Sequence, residues 1–121
     1  MFNTSISNNQ IITINRGDTF NMSIPINGRK DIEIEDYIMT EYDRVYFAIC
    51  EPHQHFEHGV VRKILTVDNL DADGNIEISL IPSDTYYLLP GTYYYEIKLK
   101  IGEGESAIVK TILPRRKLVI C

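Results

Sequence analysis

The segment Cys50-Glu51-Pro52-His53-Gln54-His55-Phe56-Glu57-His58 holds all three histidines of the chain, with a thiol and two carboxylates between them. On extended backbone His53 and His55 point to one side, so their imidazoles could share a divalent transition ion, with His58 or a carboxylate as third ligand. In a symmetric trimer the same pair from each subunit could build a six-nitrogen site on the axis. Pro52 and Gly59 bracket the segment as a loop between strands, and a polar loop needs no ligand to be stable. That plainer reading, a solvated loop, is the favoured one. Thiol catalysis by Cys50 would need a neighbouring base to lower its pKa, and adjacency in sequence does not supply that geometry.

Other segments carry weaker chemistry. Asn69-Leu70-Asp71-Ala72-Asp73-Gly74-Asn75-Ile76 resembles the first eight positions of a calcium loop, but Leu80 stands where the bidentate carboxylate belongs. A hairpin-type connection accounts for it better. Arg16-Gly17-Asp18 spells an integrin-binding tripeptide and, lying between two alternating strands, reads as a turn. Of eight tyrosines, Tyr86, Tyr87, Tyr93, Tyr94 and Tyr95 cluster. Tyr94, out of phase with its strand neighbours, is expected on the surface, and with Tyr86 and Tyr87 it is the candidate aromatic anchor of a protein interface. Glu35, Asp36 and Glu41 are the candidate acidic rim, since rim charges set register and association rate. No nucleophile triad, paired catalytic carboxylates, phosphate-cradling loop or nucleotide fingerprint has a credible context. No cofactor and no catalytic residue are expected.

The elements that must hold these residues are strands. Apolar and polar residues alternate in Phe20–Ile26, Ile76–Leu80 and Tyr93–Ile101, the pattern of half-buried antiparallel strands. In the last run Tyr93, Tyr95, Ile97, Leu99 and Ile101 face inward while Glu96, Lys98 and Lys100 face water. Further strands are expected at Gln10–Asn15, Arg44–Cys50, Val60–Val67, Ala107–Leu113 and Lys117–Ile120. Turn residues separate them at Asn27-Gly28, Asp73-Gly74, Pro90-Gly91 and Gly102-Glu103-Gly104. Pro25 and Pro114 belong at an edge or a bulge. The acidic stretch Asp31–Tyr42 reads as a long surface loop with a short strand at Ile32–Ile34, and Ile81–Pro90 as a helical turn leading to a tight turn. The architecture that fits is all-β, an immunoglobulin-like antiparallel β-sandwich of about seven to eight short strands. It forms one domain over 1–121, with 1–9 a flexible N-terminal segment. At the corner before the longest strand, such domains often carry a tyrosine whose hydroxyl bonds back to upstream backbone, and Tyr93 is the candidate.

Composition narrows the partners. A formal net charge of −5 at pH 7 argues against a general phosphate-backbone binder, so no nucleic acid is expected. No stretch has the length of a membrane span and the first ten residues lack a secretory pattern; no membrane partner and synthesis in the cytoplasm are expected. Cys50 and Cys121 lie far apart, one of them terminal, which argues against a disulfide framework.

The order of these pieces is similar to a known family. Ile12-Thr13-Ile14-Asn15-Arg16-Gly17-Asp18-Thr19-Phe20, then Ile78-Ser79-Leu80-Ile81-Pro82-Ser83-Asp84-Thr85, Leu89-Pro90-Gly91-Thr92-Tyr93-Tyr94-Tyr95-Glu96-Ile97 and the closing Thr111-Ile112-Leu113 with Lys117-Leu118-Val119-Ile120 together resemble the small immunoglobulin-like domains of tailed phages and prophages of Gram-positive bacteria, such as the N-terminal domain of baseplate upper proteins. The resemblance implies a non-enzymatic virion component of tail, baseplate or head. It would act through contacts with other virion proteins or with itself, and would be made in the host bacterial cytoplasm. The chain has no receptor-binding extension of the kind longer members carry, so attachment to a host is not implied. The alternative from another class is a ligand-binding module for carbohydrate or a divalent metal, using the tyrosine patch or His53, His55 and His58.

Overall fold

The computed structural model describes residues 4–6 and 11–121. Among the described residues there are eight strands, β1 (Thr4–Ile6), β2 (Ile12–Ile14), β3 (Phe20–Pro25), β4 (Arg44–Cys50), β5 (Val61–Leu65), β6 (Asn75–Leu80), β7 (Gly91–Ile101) and β8 (Ile108–Ile120), one α-helical turn, α1 (Pro82–Thr85), and three short 3-10 turns. The fold is all-β in its framework. A mixed sheet runs β1-β2-β8-β7-β4-β5, and β3 pairs with β6 in a second, two-stranded sheet. Of the N-terminal segment expected to be flexible, only 4–6 are described, and they pair with β2.

Alternation explains the burial. Tyr93, Tyr95, Ile97 and Leu99 of β7 are buried and interleave with half-buried Tyr94, Glu96, Lys98 and Lys100. Val45, Phe47 and Ile49 of β4 register against Leu99, Ile97 and Tyr95. Phe20, Ile76, Ile78 and Leu80 of the smaller sheet join the same core cluster. Each such side chain contributes about 1.5–3 kcal/mol on leaving water, so a one-residue slip of β7, which would bury its charges, is excluded.

The structure differs from the sequence expectation in three places. β2 pairs with β8 in parallel, from Ile12 against Leu118 to Ile14 against Ile120, so the sheet is mixed. The two strands expected at Ala107–Leu113 and Lys117–Ile120 are one, β8, whose pairing with β7 shifts register between Tyr95 and Lys98. Pro114 lies in that irregular stretch, where its missing amide interrupts no ladder bond. No strand forms at Ile32–Ile34: Glu33 and Asp36 adopt positive φ, at 62° and 50°, which extended pairing does not accommodate. The stretch is also more than a surface loop, because Ile32, Tyr37 and Met39 are buried and pin it to the core.

Candidate functional site

The histidine loop is built by residues on either side of it. After β4 the chain turns back across the outer face of the sheet. Gly59 lies so close that a Cβ there would meet the Ile49 carbonyl oxygen at 2.7 Å and Ala48 and Cys50 at 3.2 Å. From β8, the Arg115 guanidinium donates to the carbonyl oxygens of Glu51 at 3.0 Å, Pro52 at 3.0 Å and Gln54 at 3.1 Å. It also stacks 4.9 Å from the centre of the Tyr94 ring. The planar fork of donors suits an array of carbonyls, and the flat cation suits an aromatic face. Cys50 is buried beneath the loop, its thiol donating to the His55 carbonyl at 3.6 Å. Burial pushes that thiol's pKa up, so it is held protonated, the opposite of a nucleophile's requirement.

His53, His55 and His58 are all exposed. Among the described residues no group of three or more His, Cys, Asp or Glu comes together to hold a metal ion. His53 alone of the three lines the cleft of about 460 Å³ between the loop and Pro90-Gly91-Thr92-Tyr93. The Arg115 clamp has a direct consequence. Replacing Arg115 by alanine is expected to speed exchange of the Gln54, His58 and Gly59 amides, which bond within this loop, by about tenfold, the equivalent of one lost charge-assisted bond of about 1.4 kcal/mol. Hydrogen exchange reads this directly, and unchanged protection would show that the clamp is idle.

The tyrosines lie at the same end of the sheet. Asp84 closes α1 by accepting from the Ile81 amide at 2.8 Å, and it pairs with Lys63 at 2.7 Å. The buried Thr85 hydroxyl accepts from the Gly17 amide at 2.9 Å, so Arg16-Gly17-Asp18 is a turn docked against α1. Tyr93 donates from its hydroxyl to the Leu89 carbonyl at 2.7 Å, the corner bond anticipated from sequence. Held this way, α1 and the following turn present Tyr86 at 61%, Tyr87 at 84% and Leu89 at 76% exposure, beside Ile81. The two tyrosine rings meet edge to face with centroids 5.1 Å apart. Tyr94, expected on the surface, is half-buried under Arg115 instead.

Glu35, Asp36 and Glu41 are exposed, but at the other end of the sheet. Their segment leads into Arg44, which registers with Lys100, whereas α1 leads into Gly91. The strand between those points has 11 residues and spans about 33 Å. The acidic residues therefore do not rim the tyrosine patch, and the two are separate surfaces.

The acidic segment is fixed by one buried carboxylate. Asp43 accepts from the Tyr37 hydroxyl at 2.7 Å, the Thr40 amide at 2.9 Å and the Gly102 amide at 2.8 Å. Asn27 adds a bond from the Met39 amide at 2.9 Å. In the hairpin at 69–76, the Asp71 carboxylate is likewise occupied by backbone, accepting from the Asp73 and Asn75 amides at 2.8 and 3.0 Å. That is a turn's use of aspartate rather than a calcium ligand's.

A further surface escaped the sequence reading. On the outer face of the large sheet, a groove of about 360 Å³ is floored by Tyr46, Ile64 and Val109 and walled by Phe56. Its signal was the presence of apolar residues in the out-of-phase positions of β4, β5 and β8, where alternation calls for polar ones. The chain matches no protein-family model and no curated protein.

Proposed function

We propose that the chain is a non-enzymatic assembly protein, an immunoglobulin-like sandwich whose work is protein–protein contact. Supporting the finer fold is the strand order. Taking β3 to β8 as B, C, C′, E, F and G, the large sheet carries G-F-C-C′ and the small one B-E, as in variable-type domains. The observation that carries the functional reading is the patch of Ile81, Tyr86, Tyr87 and Leu89, each more than half exposed and mounted on a hydrogen-bonded corner. Large apolar side chains clustered on a rigid support are the usual anchors of an interface. The ordered motifs similar to those of phage and prophage domains support a virion component that contacts itself or neighbouring virion proteins.

The test is the solution mass by light scattering. Tyr87→Ser combined with Leu89→Ser is expected to weaken self-association about tenfold or more, since truncating an anchor removes at least about 1–2 kcal/mol. The melting temperature should stay unchanged because both side chains face water. Association equal to that of the wild type would overturn the reading of this patch.

A further inference from the structure

An antiparallel sheet with one face in water carries polar residues on that face, and the outer face of β5-β4-β7-β8 departs from this at one place. Ile64 registers with Tyr46, Tyr46 with Lys98, and, one step along, Lys100 with Val109. Ile64 is 61% exposed and Val109 55%, which leaves the groove floor open to solvent. Its rim carries a net positive charge: Arg62 and Lys100 line it with a single carboxylate, Glu57, and the Lys98 ammonium, which also pairs with Glu96 at 3.8 Å, sits 5.4 Å above the Phe56 ring that forms its wall. Among the described residues the Lys100 ammonium has neither a hydrogen bond nor an ion pair.

The segment between β3 and β4 is the chemical complement. Ile38, at 66% exposure, and Tyr42, at 53%, project from it, flanked by the exposed carboxylates of Glu35, Asp36 and Glu41, which have no ion-pair partner among the described residues. The Asp43 hydrogen bonds hold the segment in shape before any contact is made, which lowers the entropic cost of docking. The segment and the groove adjoin at one corner of the sheet, since Tyr42 stands two residues before Arg44, the register partner of Lys100. A second copy rotated about a two-fold axis at this corner offers its segment to the groove while its own groove receives the first copy's segment. This is the self-complementary arrangement of a closed dimer.

Building on the assembly reading above, we infer that the chain forms a two-fold dimer in which the groove of each copy takes Ile38 of the other, with Glu35, Asp36 and Glu41 opposed to Arg62, Lys98 and Lys100. Such a contact pairs apolar area with opposite charge, so it is weakened by salt on the scale of a Debye length of about 10 Å at 0.1 M.

Charge reversal tests it in the Tyr87→Ser/Leu89→Ser background, which removes the end patch. One variant carries Arg62→Glu and Lys100→Glu, the other Glu35→Lys and Glu41→Lys. The background protein is expected to be a dimer by light scattering, dissociating as salt rises, and each reversed variant a monomer at the same concentration with an unchanged circular dichroism spectrum. An equimolar mixture of the two is expected to return to dimer, because both contacts of the mixed pair are again opposite in charge. A dimer indifferent to both reversals, or a mixture that stays monomeric, overturns the inference. A wild-type oligomer whose end-patch variant is a monomer overturns this contact alone, while a wild-type monomer at every concentration overturns the assembly reading with it.

Discussion

Asp43→Ala is expected to lower the stability of the domain by about 3–5 kcal/mol, the cost of leaving three buried donors without their acceptor. Asp43 is 2% exposed. Alanine there leaves the Tyr37 hydroxyl and the Thr40 and Gly102 amides without their acceptor, and each stranded donor costs about 1–3 kcal/mol unless water reaches it. The same three bonds join the acidic segment to the β7–β8 turn, so the segment should loosen before the sheet does. Asp43→Asn keeps the shape but offers a single acceptor oxygen, and is expected to fall between wild type and alanine. The pH dependence has a definite sign. Burial alone would raise the Asp43 pKa, but the hydrogen bonds from Tyr37, Thr40 and Gly102 outweigh it and hold the value below the ordinary one. A depressed carboxylate pKa stabilises the fold above the unfolded value of about 3.9 and loses that contribution as pH falls through the folded value. Tyr37 is shifted upward by burial and by the Asp43 carboxylate, so its contribution is intact below an unfolded pKa of about 10 and fades above it. Denaturant melts in acid, at neutral pH and above a pH of about 10 check both statements. The gap between wild type and Asp43→Asn should narrow in acid, and an alanine variant as stable as wild type would contradict the role given to this carboxylate.

Gly59→Ala is expected to lift the histidine loop off the sheet and uncover Cys50. The backbone has no objection, since Gly59 has φ −56° and ψ 150°. The obstacle is the Ile49 carbonyl at 2.7 Å from the new methyl, and backbone cannot swing aside as a long side chain would. Overpacking of this kind costs about 1–3 kcal/mol. Cys121 is exposed and would react first, so the measurement belongs in a Cys121→Ser background, where Cys50 should react with an aromatic disulfide about tenfold or more faster than in the parent. Equal rates would mean that the loop absorbs the methyl without opening.

Period-two patterning made β3, β6 and β7 legible, because each has one face in the core and one toward solvent, and turn chemistry placed their ends. The Tyr93 corner was legible because proline and glycine punctuate the chain just before it. The parallel pairing of β2 with β8 was not, since a three-residue strand carries no sign of its partner's direction. Nor was the union of the last two strands, because Pro114 and the arginines after it look like a break until the bulge accommodates them. Nothing adjacent in sequence singles out Asp43; only the fold brings Gly102 to it across the sheet end. Arg115 was hidden for a similar reason, since it reads as a solvated cation until β8 sets it beside carbonyls some sixty positions earlier in the chain. The expected interface was divided by the same limit. Tyr87 and Glu41 could be named as surface residues from their neighbours in sequence, but not placed at opposite ends of an 11-residue strand.

Sedimentation velocity of the unmodified chain, followed over about a hundredfold range of concentration so that a micromolar dissociation constant falls within it, bears most directly on whether this protein works by assembly. The account expects a sedimentation coefficient that rises with concentration and falls back to that of the dimer when Tyr87 and Leu89 are replaced by serine. A single value equal to that of one 14.0 kDa chain at every concentration would contradict it.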